Sequence, residues 1–381
     1  MGIPRRNGAG TFQVSIRPLV KTSPEEAGIG ELNLADGTRV VALAHMFWPS
    51  HDRSLVQAVK NYLAATRPDV IVILGGALHE EAFKQVVDEQ DEVTKLLGTN
   101  SIPEIAHIRE TQEGMEDRFL ALAKAGGEFI ADFAAVSGAH VFYIPSVTGM
   151  LPNEIDIMRF VLTQKERLDA WAEKHPDEAV QGPDIPKDFS EFLGLKGNPN
   201  VTVMPFGSAL LVNNDTLFIV GDFRRRHPGS AAQVEWEQRM QNIVRSFDGK
   251  VSSTWWTTPM HSMPNSVRKY WQTHEVGNLY DIEKQLGYLR TYDRRAKGIW
   301  SATIVGGKIF GTSIPVLRGE DGKRAIVVDG VPYEEETASG LGKRIALTIG
   351  PSKQAKTAPA KAPKAAAKKT SSGGTRKSKR S

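Results

Sequence analysis

The chain has 381 residues, of which 40% are hydrophobic and 24% charged, as in an ordinary folded protein. It contains no cysteine, which excludes disulfide bonds, thiolate catalysis and cysteine-ligated metal centres. No run of about 18 apolar residues occurs, so the sequence predicts no membrane contact, and we expect a cytoplasmic protein.

The net charge of +4 conceals two parts of opposite sign. Residues 351–381 hold eight lysines, two arginines and no acidic residue, whereas the rest of the chain holds 38 basic and 44 acidic residues. The Lys, Ala, Pro, Ser and Gly of this end cannot bury enough apolar surface to offset the entropy of ordering. We therefore predict an entry segment at 1–37, a folded domain at 38–345 and a disordered basic tail at 346–381.

The first half of the chain alternates apolar strands with helices. A strand is expected within 11–20. Two β-branched runs, 40–52 and 68–79, each end in a polar turn and enclose the amphipathic segment 54–66, which together predict a βαβ unit. Further along, the spacing predicts helices at 79–93, 110–125, 128–136 and 158–175, with Gly126-Gly127 ending the second of these helices, and a third buried strand at 139–145.

The second half is richer in strands. Asn213-Asn214-Asp215 and Gly306-Gly307 are typical hairpin turns. The predicted strands lie at 201–204, 209–212, 216–220, 300–305, 308–314 and 325–328, with a helix at 233–247. Strands and helices repeated in two halves predict an α/β fold, a sandwich of two mixed β-sheets flanked by helices.

The two strand ends of the βαβ unit read VVALAHMFWPSHD and PDVIVILGGALH. This pair resembles the opening of the calcineurin-like metallophosphoesterases, in particular their phage-type members. There the first strand ends in Asp-x-His-x-Pro-x-His-Asp and the second in Gly-Asp-x-x-Asp. Pro49, His51, Asp52 and Gly75 match this pattern. The metal-binding positions do not match, because they are occupied here by His45, Phe47, Gly76 and His79.

The resemblance implies the two-sheet sandwich fold and, in active members, two divalent ions that activate a hydroxide for attack on phosphorus. Its later motifs are also altered in this chain. Val147 and Thr148 stand where an Asn-His pair is expected, Val220-Gly221-Asp222 follows a later strand, and His261 alone remains near the closing Gly-His-x-His. We therefore expect that the two-metal centre is lost and that no cofactor is bound.

Two interpretations of the remaining polar residues stay open. In one, His45, His79 and His261 bind a single divalent metal beside the catalytic candidates His51 and Asp52, since imidazole suits zinc, iron or nickel. In the other, these side chains are surface or supporting residues of a vacant site. The first interpretation describes a divergent phosphodiesterase or nuclease, and the second a pseudoenzyme.

Basic residues suggest a polyanionic partner. Arg224, Arg225 and Arg226 either hold phosphate oxygens or lie in an exposed loop balanced by acids. Aromatic residues cluster between 255 and 300 and either stack on nucleic-acid bases or pack in the core. The tail resembles the Lys/Ala/Pro tails of linker-histone-like proteins, which favours non-specific nucleic-acid binding. The alternatives are a solubilising disordered end or an acidic protein surface as the partner. Its densest cations are Lys368, Lys369, Arg376, Lys377, Lys379 and Arg380.

Overall fold

The computed structural model describes residues 15–18, 28–80, 82–86, 103–146, 154–174, 176, 184–220, 242–246, 252–257, 270–281, 297–318 and 324–334. At 15–18, 103–115, 168, 171–172, 252–257, 270–271 and 318 it describes the backbone alone. All of these residues belong to the first of the chain's two units, Met1–Leu341. The predicted tail at 346–381 lies outside the described residues.

The described residues include fifteen strands and four helices with defined bounds. The helices are α1 Arg53–Thr66, α2 Pro103–Ser137, α3 Glu154–Lys174 and α4 Phe189–Phe192. The strands are β1 Ser15–Pro18, β2 Gly28–Leu32, β3 Arg39–Ala44, β4 Val70–Leu74, β5 His140–Ile144, β6 Val201–Val203, β7 Ala209–Val212, β8 Thr216–Ile219, β9 Asn242–Ser246, β10 Ser252–Thr257, β11 Tyr270–Val276, β12 Gly298–Val305, β13 Lys308–Arg318, β14 Arg324–Val328 and β15 Val331–Tyr333.

These strands form two mixed sheets. The eight-stranded sheet has the order β15-β14-β13-β12-β3-β4-β5-β6, in which β3 to β6 are parallel and β12 runs antiparallel to β3. The seven-stranded sheet has the order β1-β2-β7-β8-β9-β11-β10, with β8, β9 and β11 parallel. Parallel neighbours need long crossover connections, which α1 and α2 provide on either side of β4. The predicted two-sheet α/β sandwich is confirmed.

Side-chain alternation explains how the central strands are buried on both faces. In β4, Val70, Val72 and Leu74 pack between the two sheets, whereas Ile71 and Ile73 pack with the helices. Adjacent residues of a strand point to opposite faces, so an unbroken apolar run is the sequence of a strand covered on both sides. Helix α1 contributes Leu55, Val59 and Leu63 to the layer on the outer face of the eight-stranded sheet.

The predicted end of a helix at Gly126-Gly127 is wrong, because α2 continues through both glycines to Ser137. A Cβ atom at Gly126 would overlap the side chain of Leu78, and one at Gly127 would overlap the carbonyl oxygen of Leu193. The two glycines therefore allow α2 to pack closely against its neighbours, and this packing outweighs their low helix propensity.

The predicted helix at 233–247 is also wrong where the structure describes it. Residues Asn242–Ser246 form β9, which pairs in parallel with β8 and β11. Ile243 and Val244 are both fully buried, on opposite faces of that strand. Both hairpin predictions are confirmed: Asn213 and Asn214 have φ of 53° and 51°, and Gly306 and Gly307 have φ of 60° and 74°.

Candidate functional site

The loops that follow β3 and β4 lie side by side at the C-terminal edge of the eight-stranded sheet. The His45 amide donates to the Gly75 carbonyl at 3.1 Å, and the Phe47 amide donates to the Gly76 carbonyl at 2.8 Å. In α/β proteins ligands bind in the crevice beyond the carboxyl ends of parallel strands. This edge is therefore the candidate site. The resemblance implies that His45, Gly76 and Val147 lie at neighbouring strand ends. His45 and Gly76 do, and Val147 lies outside the described residues.

The backbone of both loops is left-handed at four positions. His45 and Phe47 have φ of 47° and 54°, and Gly75 and Gly76 have φ of 62° and 61°. Glycine adopts this conformation freely, whereas another L-residue costs roughly 1–2 kcal/mol in it. Two strained non-glycine residues in a stretch of three are maintained only where surrounding packing fixes them, and such residues concentrate at functional sites.

That packing comes from an aromatic cluster made by His45, Phe47, His79 and Tyr280. The Phe47 ring centroid lies 5.6 Å from that of His45, 5.7 Å from that of His79 and 5.2 Å from that of Tyr280. His45 and Phe47 are each 1% exposed and Tyr280 is fully buried. The interior of the candidate site is thus filled by packed rings at the positions where the resemblance places metal ligands.

Gly76 makes room for one of these rings. A Cβ atom at position 76 would lie 2.5 Å from Nδ1 of His45 and 2.9 Å from Cε1 of Phe47. Real Cβ atoms do not approach other heavy atoms this closely. The imidazole of His45 therefore occupies the space that a side chain at position 76 would need, and an aspartate does not fit there while His45 keeps this position.

His79 lies at the margin of the cluster. Burial, and to a smaller extent the positive charge of Lys84, lowers the pKa of its imidazole to about 4. His79 is consequently neutral at pH 7, which is the form that a metal ion would require. Within the part of the chain that the structure describes, no three His, Asp or Glu side chains are grouped so as to hold a metal ion.

Asp52, a catalytic candidate, is placed at the start of α1. Its Oδ1 atom accepts a hydrogen bond from the Leu55 amide at 3.2 Å, so it caps the helix. Its Oδ2 atom lies 2.5 Å from Nζ of Lys297 and also contacts the guanidinium of Arg324. The carboxylate is 8% exposed and so joins α1 to the region of β12 and β14 through partly buried charges.

His51, the second catalytic candidate, lies beside Asp52 but faces α2. The centroid of its ring is 4.9 Å from that of Phe129, and its backbone pairs with Tyr280. His51 is partly buried and is not a member of the aromatic cluster.

Sequence reasoning missed Glu154, the first residue of α3. Its side chain is fully buried at the same edge of the sheet, where Oε1 accepts from the Ala77 amide and the Tyr143 hydroxyl, both at 2.7 Å. Its Oε2 atom accepts from the Ser146 amide at 2.8 Å. No spacing rule marks this residue. The only sequence signal is an acidic residue at the start of the helix that follows a buried strand.

Several predicted site residues lie outside the described residues. These are Val147, Thr148, Gly221, Asp222, Arg224, Arg225, Arg226, His261 and the tail cations Lys368, Lys369, Arg376, Lys377, Lys379 and Arg380. Val220 is described, and its side chain packs against Gly75.

Of the aromatic residues from the second half, Tyr280 and Trp300 are both fully buried, in agreement with core packing. In the described part of the chain, no helix is both long and apolar enough to span a membrane.

Comparisons with known proteins give similarity at the level of solved structures. No protein-family model matches the chain, and no curated protein matches it. A single mutant of Vps29 from Entamoeba histolytica is 9% identical, with 78% of this chain and 97% of that chain covered and a TM-score of 0.30. Another solved chain is 13% identical, with 76% and 95% covered and a TM-score of 0.27. At these TM-scores the chains do not superpose closely.

Proposed function

We propose that this chain is a phage-type metallophosphoesterase-fold protein that has lost its metal centre and serves as a nucleic-acid-associated binding or structural protein. The proposal rests on one observation above all. The His45 ring lies over Gly76, in the space of a ligand side chain, and Phe47 packs against it. In support, the positions of the first two motifs lie at one sheet edge, at the ends of the neighbouring strands β3 and β4.

The chemistry of a two-metal centre explains why these replacements matter. Two divalent ions a few ångströms apart need a bridging carboxylate together with imidazole or amide ligands. The phenyl ring of Phe47 and the bare Cα of Gly76 have no lone pair to offer a cation. Of the four substituted positions, only His45 and His79 retain a ligand atom, and the structure packs both against Phe47.

The proposed partner follows from the charge distribution. Ten cations and no acid in residues 351–381 are joined to a remainder with an excess of acidic residues. Flexible cations bind nucleic acid by neutralising phosphates and releasing condensed counterions, without reading sequence. We therefore propose non-specific binding of DNA or RNA through the tail, in the cytoplasm of a host cell.

The test compares full-length protein with a chain that ends at residue 350, using duplex DNA and fluorescence anisotropy at several salt concentrations. Log affinity of the full-length chain should fall linearly with log salt, by roughly 0.9 per phosphate neutralised. The truncated chain should lose most of the affinity. A chain with a shuffled tail of the same composition should bind like the original. Equal affinity with and without 351–381 would contradict the proposal.

A second candidate is a divergent metal-dependent phosphodiesterase or nuclease with a remodelled histidine site. The observation in its favour is that the imidazoles of His45 and His79 both contact the Phe47 ring at the sheet edge. In this case His261 would complete the site, and the tail would retain the substrate. Near-stoichiometric transition metal in protein purified without an affinity tag would favour this candidate over the first.

A further inference from the structure

A buried carboxylate lies next to the aromatic cluster and is used by neither proposed function. Glu154 is fully buried, and its two oxygens accept hydrogen bonds from Ala77, Tyr143 and Ser146 at 2.7 to 2.8 Å. The Leu78 amide lies farther off, 3.5 Å from Oε1. All four groups are donors. A carboxylate, which only accepts, therefore matches this set of partners.

The donors come from separate parts of the chain. Ala77 and Leu78 belong to the loop after β4, Tyr143 to β5 and Ser146 to the loop after β5. Backbone amides that converge from successive loops form concave sites for anions, and charge-assisted hydrogen bonds of this kind are the strong ones. The carboxyl end of a parallel sheet is also where α/β proteins bind their ligands. The arrangement around Glu154 thus has the donors of an anion site, with the anion supplied by the chain itself.

We propose that Ala77, Tyr143 and Ser146 form a pocket for one small carboxylate, that the Glu154 side chain fills this pocket, and that Glu154 thereby positions the loop after β4 and the backbone at Ser146. Glu154 is a positioning residue in this account. Its carboxylate fixes the backbone just beyond Gly76, where the aromatic cluster packs. The inference goes beyond the proposed function, because it involves neither a metal nor nucleic acid.

Burial and hydrogen bonding act on the pKa of Glu154 in opposite directions. Burial raises this pKa above its ordinary value, and the hydrogen bonds from Tyr143, Ser146 and Ala77 offset only part of the rise. Burial likewise raises the pKa of Tyr143, and the adjacent negative charge of Glu154 raises it further. The Tyr143 hydroxyl therefore keeps its proton and remains a donor to the carboxylate.

The test removes the side chain and returns the carboxylate as a separate molecule. The Glu154→Ala variant should lose thermal stability, and sodium formate should restore part of it in a saturable way, by roughly 2–4 °C at ten times its dissociation constant. Sodium chloride at equal ionic strength should not restore thermal stability. Asp156→Ala is the matched control, because Asp156 lies in the same first turn of α3 but pairs with Arg159. A formate response absent from Glu154→Ala, or equal in the control, would overturn the proposal.

A second variant decides the matter if Glu154→Ala does not fold. In Glu154→Gln the amide nitrogen replaces one acceptor, so one of the pocket's donors faces another donor. Amide hydrogen exchange at Ala77 or Ser146 should become at least about tenfold faster than in the wild type, while Val72 within β4 stays unchanged. Unchanged exchange at both Ala77 and Ser146 would show that the carboxylate does not hold these loops.

Discussion

Replacement of Gly76 by alanine tests whether the His45 ring fills the candidate site. Gly76 has a φ of 61°, and its added Cβ would meet His45 Nδ1 at 2.5 Å and Phe47 Cε1 at 2.9 Å. The left-handed backbone should cost roughly 1–2 kcal/mol in an alanine. Forcing a methyl group into a packed interior should cost a further 1–3 kcal/mol, approximately. The free energy of unfolding should therefore fall by about 2–5 kcal/mol.

Gly138→Ala separates the two contributions. Gly138 also has a positive φ, of 74°, but no atom lies within 4 Å of its added Cβ. Its substitution should cost only the backbone part, roughly 1–2 kcal/mol. The measurement is urea unfolding of both variants and the wild type at pH 7, with the slope of free energy against urea checked for constancy.

A third variant identifies the atom responsible. In a His45→Ala background the ring is gone, so the additional cost of Gly76→Ala should drop by at least about 1 kcal/mol in a double-mutant cycle. Equal destabilisation by Gly76→Ala and Gly138→Ala, or an unchanged cost in the His45→Ala background, would refute the claim that the ring occupies the space beside position 76.

Two further predictions concern buried charge. Burial lowers the pKa of His79, His140 and His274 to about 4 from 6.5. As pH falls from about 6.5 to about 4, the unfolded chain therefore takes up protons that the folded chain does not. The free energy of unfolding falls in that pH window. The loss should be on the order of 1–3 kcal/mol for His274 and smaller for the other two histidines, which solvent reaches more easily. His274→Asn should reduce the dependence of the free energy of unfolding on pH. A pH profile identical to that of the wild type would contradict this prediction. Asp52→Asn keeps the helix cap but removes the charge that faces Lys297 and Arg324. Urea unfolding should therefore show that the free energy of unfolding falls by roughly 1–3 kcal/mol. A variant as stable as the wild type would show that these ion pairs contribute nothing.

The sequence predicted the strands that carry the site better than the side-chain contacts within it. The apolar runs at β3, β4 and β5 are continuous because both faces of these strands are covered, and each ends in a turn rich in glycine or polar residues. That pattern was enough to predict that His45 and Gly76 lie close together. The predicted helix end at Gly126-Gly127 was wrong. Helix propensity carries no information about the side chain of Leu78 or the carbonyl of Leu193, which the helix must approach.

The remaining parts of the site depend on contacts between distant segments. Tyr280 reaches the aromatic cluster from a part of the chain far beyond Phe47, since the Leu279 amide donates to the His45 carbonyl at 3.1 Å. Glu154 binds mainly backbone donors, which every residue except proline possesses, so no residue type in the sequence indicates its partners. The helix expected at 233–247 failed for a related reason, because pairing with β8 and β11 decides the conformation of Ile243 and Val244.

Loss of the metal centre is tested by a phosphodiesterase assay on the full-length protein. Hydrolysis of bis-p-nitrophenyl phosphate and of DNA should stay at background with manganese, magnesium or zinc, since packed rings and glycine stand at the ligand positions. The His45→Ala variant, purified in parallel, controls for contaminating nuclease. We expect equal background for both proteins. Metal-dependent turnover that His45→Ala abolishes would contradict it and establish the histidine-based enzyme instead.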